Sequence, residues 1–180
     1  MTNIFQGKLV RLRAGEPSEA KLFYEADYQE TESARTLYEI PFPQPQVNES
    51  GEIKAHQGDN FPFTIEALND GSVVGAIHIH DCNLRGGTLM YGIAIFLPQR
   101  GKGYAHEAIR LALRYYFNER RYQKCTVEVY SFNQASIRLH EQIGFTLEGR
   151  LRRMVYTNGT FHDTLVYGIT VEEFQEKDRQ

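Results

Sequence analysis

Hydrophobic positions along the chain change period several times, and each change marks an element. Alternation over Lys8–Arg13, with Val10 and Leu12 on one side, predicts an opening strand. Pro17 suits the first turn of a helix reaching about Tyr28, with Ala20, Phe23 and Ala26 on its inner face. Thr31–Tyr38 reads as a second short helix and Asn48–Gln57 as a weak third, while Pro41, Pro43 and Pro45 forbid regular structure between them. From Phe61 onward strands dominate. Phe63–Leu68 and Val73–His80 flank the hairpin signal Asn69-Asp70-Gly71, and Arg85-Gly86-Gly87 makes the next turn. Leu89–Leu97 is an uncharged run rich in β-branched and aromatic residues, a strand that Pro98 ends. A helix then runs to Asn118, with Ala105, Ala108, Ile109, Ala112 and Tyr116 at helical spacing. Lys124–Tyr130 alternates again, and Asn133 caps a helix that Gly144 stops after Ile143. Phe145–Tyr156 and Phe161–Ile169 pair around Asn158-Gly159, and the polar Val171–Gln180 reads as a frayed helical end.

The order is β, helices, then β-β-β-helix-β-helix-β-β. It predicts an α/β mixed sheet of about seven strands with helices on both faces, in one domain over residues 1–180. A 41% hydrophobic and 12% aromatic composition fits a folded chain. No apolar run approaches the roughly 18 residues of a membrane span, and the N-terminus lacks a signal peptide's apolar region. With only Cys82 and Cys125, the expectation is a cytoplasmic protein with reduced thiols and no membrane partner. A net charge of −3 makes nucleic acid a poor partner. Charge is nevertheless segregated: Gly15–Asn60 holds ten acids against Lys21, Arg35 and Lys54, whereas Gln99–Lys124 holds seven bases against Glu107 and Glu119.

The basic segment begins at the turn Gln99-Arg100-Gly101-Lys102-Gly103-Tyr104-Ala105, between strand and helix. Its glycines let the backbone approach a ligand, the helix start offers unpaired N–H groups, and Arg100 and Lys102 add cations. This favours a phosphate ligand over an ordinary turn. A rival site is His78-Ile79-His80-Asp81-Cys82, where two histidines share a strand face beside a thiol; without a second ligand cluster, no metal is assigned there.

The turn Gln99–Ala105 together with Asn133-Gln134-Ala135-Ser136 and Glu141-Gln142-Ile143-Gly144-Phe145 resembles the two motifs of the GNAT superfamily of N-acetyltransferases. Gly103-Tyr104-Ala105 followed by Glu107-Ala108, Phe145–Gly149, and Tyr156–Asp163 resemble its RimJ/RimL-like branch, which acetylates ribosomal-protein N-termini. The resemblance implies a GNAT-like fold and acetyl-CoA as cofactor, with CoA as product. It implies that Gln99, Arg100, Gly101, Lys102, Gly103, Tyr104 and Ala105 hold the pyrophosphate. Ile93, Ala94, Ile95 and Phe96 would offer backbone groups to the pantetheine arm, with Asn133 and Ser136 on the other side. Leu89–Phe96 and Lys124–Tyr130 would be parallel strands that splay around the cofactor.

The implied reaction is direct attack of a neutral amine on the thioester. Ser136 is the first candidate donor to the leaving sulfur and His140, four residues on and hence on the same helix face, the second. Glu128, on the strand facing the implied cleft, is the weak candidate for a base; Val155 stands where some relatives place a carboxylate. With no evident base, a free α-amine, about a tenth neutral at pH 7, is favoured over lysine, neutral to only about 0.04%. The expected acceptor is thus a protein N-terminus, with a polyamine or other small amine, antibiotics included, as the alternative. A non-catalytic acyl-CoA-binding module is the reading of a different class. The resemblance sets the acceptor side at Glu25, Tyr38, Glu39, Phe42, Asp163 and Tyr167. The oligomeric state is open, with a homodimer among the alternatives.

Overall fold

The computed structural model describes residues 3–23 and 58–178. Strand β1 (Val10–Ala14) pairs antiparallel with β2 (Phe61–Ala67), β2 with β3 (Val73–Asn83), and β3 with β4 (Thr88–Ile95). A 3-10 turn over Leu97–Gln99 leads to helix α1 (Tyr104–Asn118), which crosses over to β5 (Lys124–Tyr130), the parallel neighbour of β4. Helix α2 (Gln134–Ile143), strands β6 (Thr146–Thr157) and β7 (Thr160–Thr170), and helix α3 (Val171–Asp178) complete the chain. Strand β7 inserts beside β5, so the seven-stranded mixed sheet has the order β1-β2-β3-β4-β5-β7-β6.

Local chemistry explains the boundaries. Asn158 and Gly159, with φ of 49° and 77°, form the two-residue link between the paired Thr157 and Thr160. Positive φ at both positions makes the turn twist with its strands. The Asn133 carboxamide oxygen accepts the Ser136 N–H at 3.1 Å, and Gly144, at φ 113°, ends α2.

Register-paired side chains share a sheet face. One face therefore carries the row Phe63, Ile77 and Ile93 and the row Leu89, Cys125 and Ile169. Helix α1 covers it with Ala108, Ile109, Leu111, Ala112, Leu113 and Tyr116, all at most 2% exposed. Helix α3 is not a frayed end: Phe174 is buried against Phe117, ring centroids 5.6 Å apart, and Asp178 pairs with Arg110 and Arg114. The opposite face is polar, with Arg11, Arg13, Thr64, Glu66, His78, His80, Thr126 and Glu128. The helices predicted between residues 24 and 57 lie outside the described residues.

Candidate functional site

The pairing of β4 with β5 lasts three residues and then stops: Thr88↔Lys124, Leu89↔Cys125, Met90↔Thr126. Beyond it, β4 stays paired to β3 as far as Ile95, and β5 to β7 as far as Tyr130. The two strands thus part into a wedge whose inner edges carry unpaired backbone groups. Gly75 of β3 lets β4 lie close against β3 along this stretch. A Cβ at that position would lie 2.1 Å from the Ala94 carbonyl oxygen, so only glycine allows β3 and β4 to approach so closely there.

Alternation decides which groups face the wedge. The Phe96 N–H donates to the Val74 carbonyl at 2.9 Å, so positions 94 and 96 spend their backbone groups on β3. Those of Ile93 and Ile95 point into the wedge, and the Ile95 carbonyl accepts from Arg100 Nε at 3.0 Å. Of the four strand residues expected to contact pantetheine, Ile93 and Ile95 turn their backbone groups into the wedge, and Ala94 and Phe96 turn theirs to β3.

The glycine turn lies at the open end of the wedge. Gly101 and Gly103 have φ of 78° and 83°, left-handed values that favour glycine. Gly103 is the N-cap of α1 with no side-chain cap, and the first helix bond runs from the Glu107 N–H to the Gly103 carbonyl. The N–H groups of Tyr104 and Ala105 precede that bond, at the positive end of the helix dipole. Lys102 Nζ donates to Gln99 Oε1 at 2.6 Å, which tethers the lysine over the turn. This cradle suits a pyrophosphate: it has backbone donors, two cations and open space at Gly101, where a Cβ would meet nothing within 4 Å.

Glu107, present in the sequence only as part of a motif, supports the turn through a contact that motif does not foretell. Its carboxylate accepts the N–H groups of Lys8, Leu9 and Val10 at 2.8, 2.6 and 2.8 Å. Gly7 passes so close that a Cβ would lie 2.4 Å from Glu107 Cδ. The chain entering β1 is thereby clamped to the first turn of α1, and Leu9 comes within 3.3 Å of where a Gly103 Cβ would be. The partners are 97 to 99 residues apart, and no local pattern announces such a contact.

Helix α2 starts just after the end of β5, beyond the point where that strand has parted from β4, which places Asn133 and Ser136 at the wedge's open end. Ser136 is half-buried, its Oγ 3.3 Å from His140 Nδ1. His140 is 3% exposed, among the rings of Tyr91, Phe145 and Tyr167. Its Nδ1 lies 2.7 Å from the Ser136 carbonyl oxygen, and its Nε2 is buried without a partner, as is the Tyr91 hydroxyl. Burial lowers the His140 pKa below the ordinary imidazole value, outweighing the opposing effect of the Ser136 carbonyl. Glu128 is exposed on the part of β5 that has left β4, on the polar sheet face.

The residues expected on the acceptor side divide. Glu25, Tyr38, Glu39 and Phe42 lie outside the described residues. Asp163 accepts from the Arg153 N–H at 2.8 Å and Arg150 Nε at 2.5 Å, bonds that hold its carboxyl below the usual range and pin the irregular stretch of β6. Tyr167 is 3% exposed and its hydroxyl donates to Glu141 Oε1 at 3.1 Å, so it packs under α2. The structure places neither on an open acceptor surface. The rival metal site also separates. An irregularity between His80 and Asn83, with Asp81 at φ 50°, turns Cys82 from the histidines toward the core cluster. Among the described residues no group of three metal-ligating side chains assembles.

Comparison with known proteins agrees with this geometry. Residues 10–146 match the model of the acetyltransferase (GNAT) domain. The chain is 39% identical over 170 residues, 94% of each chain, to the SPbeta prophage-derived uncharacterized N-acetyltransferase YokL of Bacillus subtilis. It is 31% identical to YdaF of the same organism, provisionally named a ribosomal N-acetyltransferase, over 60% of this chain and 59% of that one. Among solved structures, the spermidine N-acetyltransferase from Vibrio cholerae in complex with CoA and spermine superposes with a TM-score of 0.81. At 22% identity, over 92% of this chain and 98% of that one, this likeness speaks for the fold.

Proposed function

The chain belongs to the GNAT acetyltransferase family and is an acetyl-CoA-dependent N-acetyltransferase, and from that premise we propose that its acceptor is the α-amine of a protein or peptide N-terminus. Acetyl-CoA supplies an activated acetyl thioester. The residues around the wedge determine what else the reaction needs. Ile93 and Ile95 present backbone donors and acceptors to an extended chain, as an added strand would use them. The Gly101–Ala105 backbone and the cations Arg100 and Lys102 would hold its phosphates, and the Asn133 and Ser136 side chains would face it from β5's end. Ser136 would donate a hydrogen bond to the sulfur. The proton lost by the amine reaches solvent, and the thiolate, with a thiol pKa of about 8.5, leaves without a dedicated acid.

One observation carries the choice of acceptor: no described group beside the wedge is built as a buried base. Glu128 is solvent-exposed, His80 pairs with Asp81, the His140 nitrogen nearest Ser136 already donates to a carbonyl, and its bare Nε2 is buried among the rings of Tyr91, Phe145 and Tyr167. An amine that is partly neutral at pH 7 needs no such base, whereas lysine does. The RimJ/RimL-like reading of the sequence and the similarity to YdaF support the same acceptor. A second reading, a polyamine or other small cationic amine, draws on Glu128, an exposed acid on the parted stretch of β5 with no described partner. Initial rates of CoA release separate them. Peptides with a free α-amine should exceed both spermidine and α-blocked lysine peptides in kcat/KM at neutral pH. A preference for lysine or for spermidine would overturn the proposal.

A further inference from the structure

We propose that His140 is a positioning residue that holds the Ser136 hydroxyl as a hydrogen-bond donor toward the wedge and bars it from acting as a nucleophile. This rests on the role proposed above for Ser136. His140 Nδ1 lies 2.7 Å from the Ser136 carbonyl oxygen, and a carbonyl has no proton to give, so Nδ1 must carry one. The other tautomer would set a ring lone pair against a carbonyl lone pair and leave an N–H unpaired at the buried Nε2. That one hydrogen is shared: Ser136 Oγ, 3.3 Å from the same Nδ1, is the second and weaker acceptor of a bifurcated bond.

Two consequences follow for chemistry. Nδ1 has no lone pair with which to remove the Ser136 proton, so this Ser-His pair, four residues apart on one helix, is the reverse of a nucleophile-base dyad. With its oxygen held by the shared Nδ1–H, the hydroxyl keeps its own hydrogen for another acceptor. The imidazole is fixed by packing. Phe145 meets it edge-on at 5.2 Å, Tyr91 and Tyr167 stack at 5.9 and 6.5 Å, and only 3% of it is exposed. The arrangement favours direct transfer over an acetyl-serine route.

Nitrogen-detected NMR on ligand-free protein tests the first half. The His140 ring should show a protonated Nδ1 and a bare Nε2; the opposite tautomer would overturn the inference. Steady-state kinetics tests the second half. His140→Asn keeps an N–H in the Nδ1 position and should retain near-normal kcat. His140→Leu should lower kcat by about tenfold with KM for acetyl-CoA unchanged, matching Ser136→Ala. The double variant Ser136→Ala/His140→Leu should be no slower than either alone. Additive losses, or a normal His140→Leu beside a slow Ser136→Ala, would refute positioning while leaving the Ser136 role standing. A normal kcat in Ser136→Ala would instead remove the Ser136 role itself, and with it this inference. If His140→Leu fails to fold, the Asn variant and the tautomer still decide.

Discussion

Gly101 allows backbone strain and charge to be separated at the cradle. Its φ of 78° is left-handed, and a Cβ would meet no atom within 4 Å. Alanine there adds no clash and costs only the conformational penalty, about 1–2 kcal/mol. For a chain of this size that is a fall in Tm of roughly 2–8 °C. Aspartate incurs the same strain and adds a negative charge among the backbone donors of the turn. At about 6 Å from one phosphate charge, with an effective dielectric constant near 20, the repulsion is about 3 kcal/mol. That weakens binding by about a hundredfold, and the second phosphate adds to it. Calorimetric titration with CoA, paired with thermal unfolding, reads both effects. Gly101→Ala should bind CoA within a few-fold of the wild type, and Gly101→Asp, folded to a similar Tm, should bind at least about a hundredfold more weakly. Equal CoA affinity in the two variants would refute the assignment of the turn to phosphate.

Three further outcomes follow from the packing. Glu107→Ala leaves the N–H groups of Lys8, Leu9 and Val10 without their acceptor, so stability should fall by about 2–4 kcal/mol in urea unfolding and KM for acetyl-CoA should rise. Phe174→Ala should cost about 3–5 kcal/mol in the same assay, since the ring is buried against Phe117, whereas a frayed tail would show almost no loss. Burial pushes the Asp59 carboxyl up, but the Tyr122 hydroxyl and Arg120 outweigh it and hold its pKa below the ordinary value. A carboxyl depressed in the folded state stabilises above its unfolded pKa of about 3.9 and loses that contribution as pH falls below it. Asp59→Asn should therefore be less stable than the wild type at pH 7, with the gap closing on acidification below about pH 4.

What was legible in the sequence was local. Asn158-Gly159 specified its turn because few residues accept positive φ, and Asn133 and Gly144 bounded α2 through their own capping chemistry. The strand and helix from Leu89 to Asn118 showed in their hydrophobic period, and the glycines between them marked the turn. What escaped depended on partners distant in sequence. The close approach at Gly75 and the clamp on Glu107 join residues with no shared pattern, and Cys82 changes face through an irregularity that alternation does not foresee. Asp163 and Tyr167 have the chemistry of acceptor contacts, but Arg150 and Glu141 had already engaged them. A polar side chain's type is written in the sequence, whereas which partner takes it is settled by the fold.

The central claim is that acetyl-CoA lies in the wedge between β4 and β5 with its phosphates on the Gly101–Gly103 turn. Titrating CoA into isotope-labelled protein and following backbone amide resonances tests it directly. Shifts should be largest at Ile93, Ile95, Gly101, Gly103, Tyr104 and Asn133, with Ala94 and Phe96, bonded to β3, moving less. Shifts gathered instead at the aromatic cavity beside Phe61, Phe63 and Tyr115, with the wedge silent, would contradict the account.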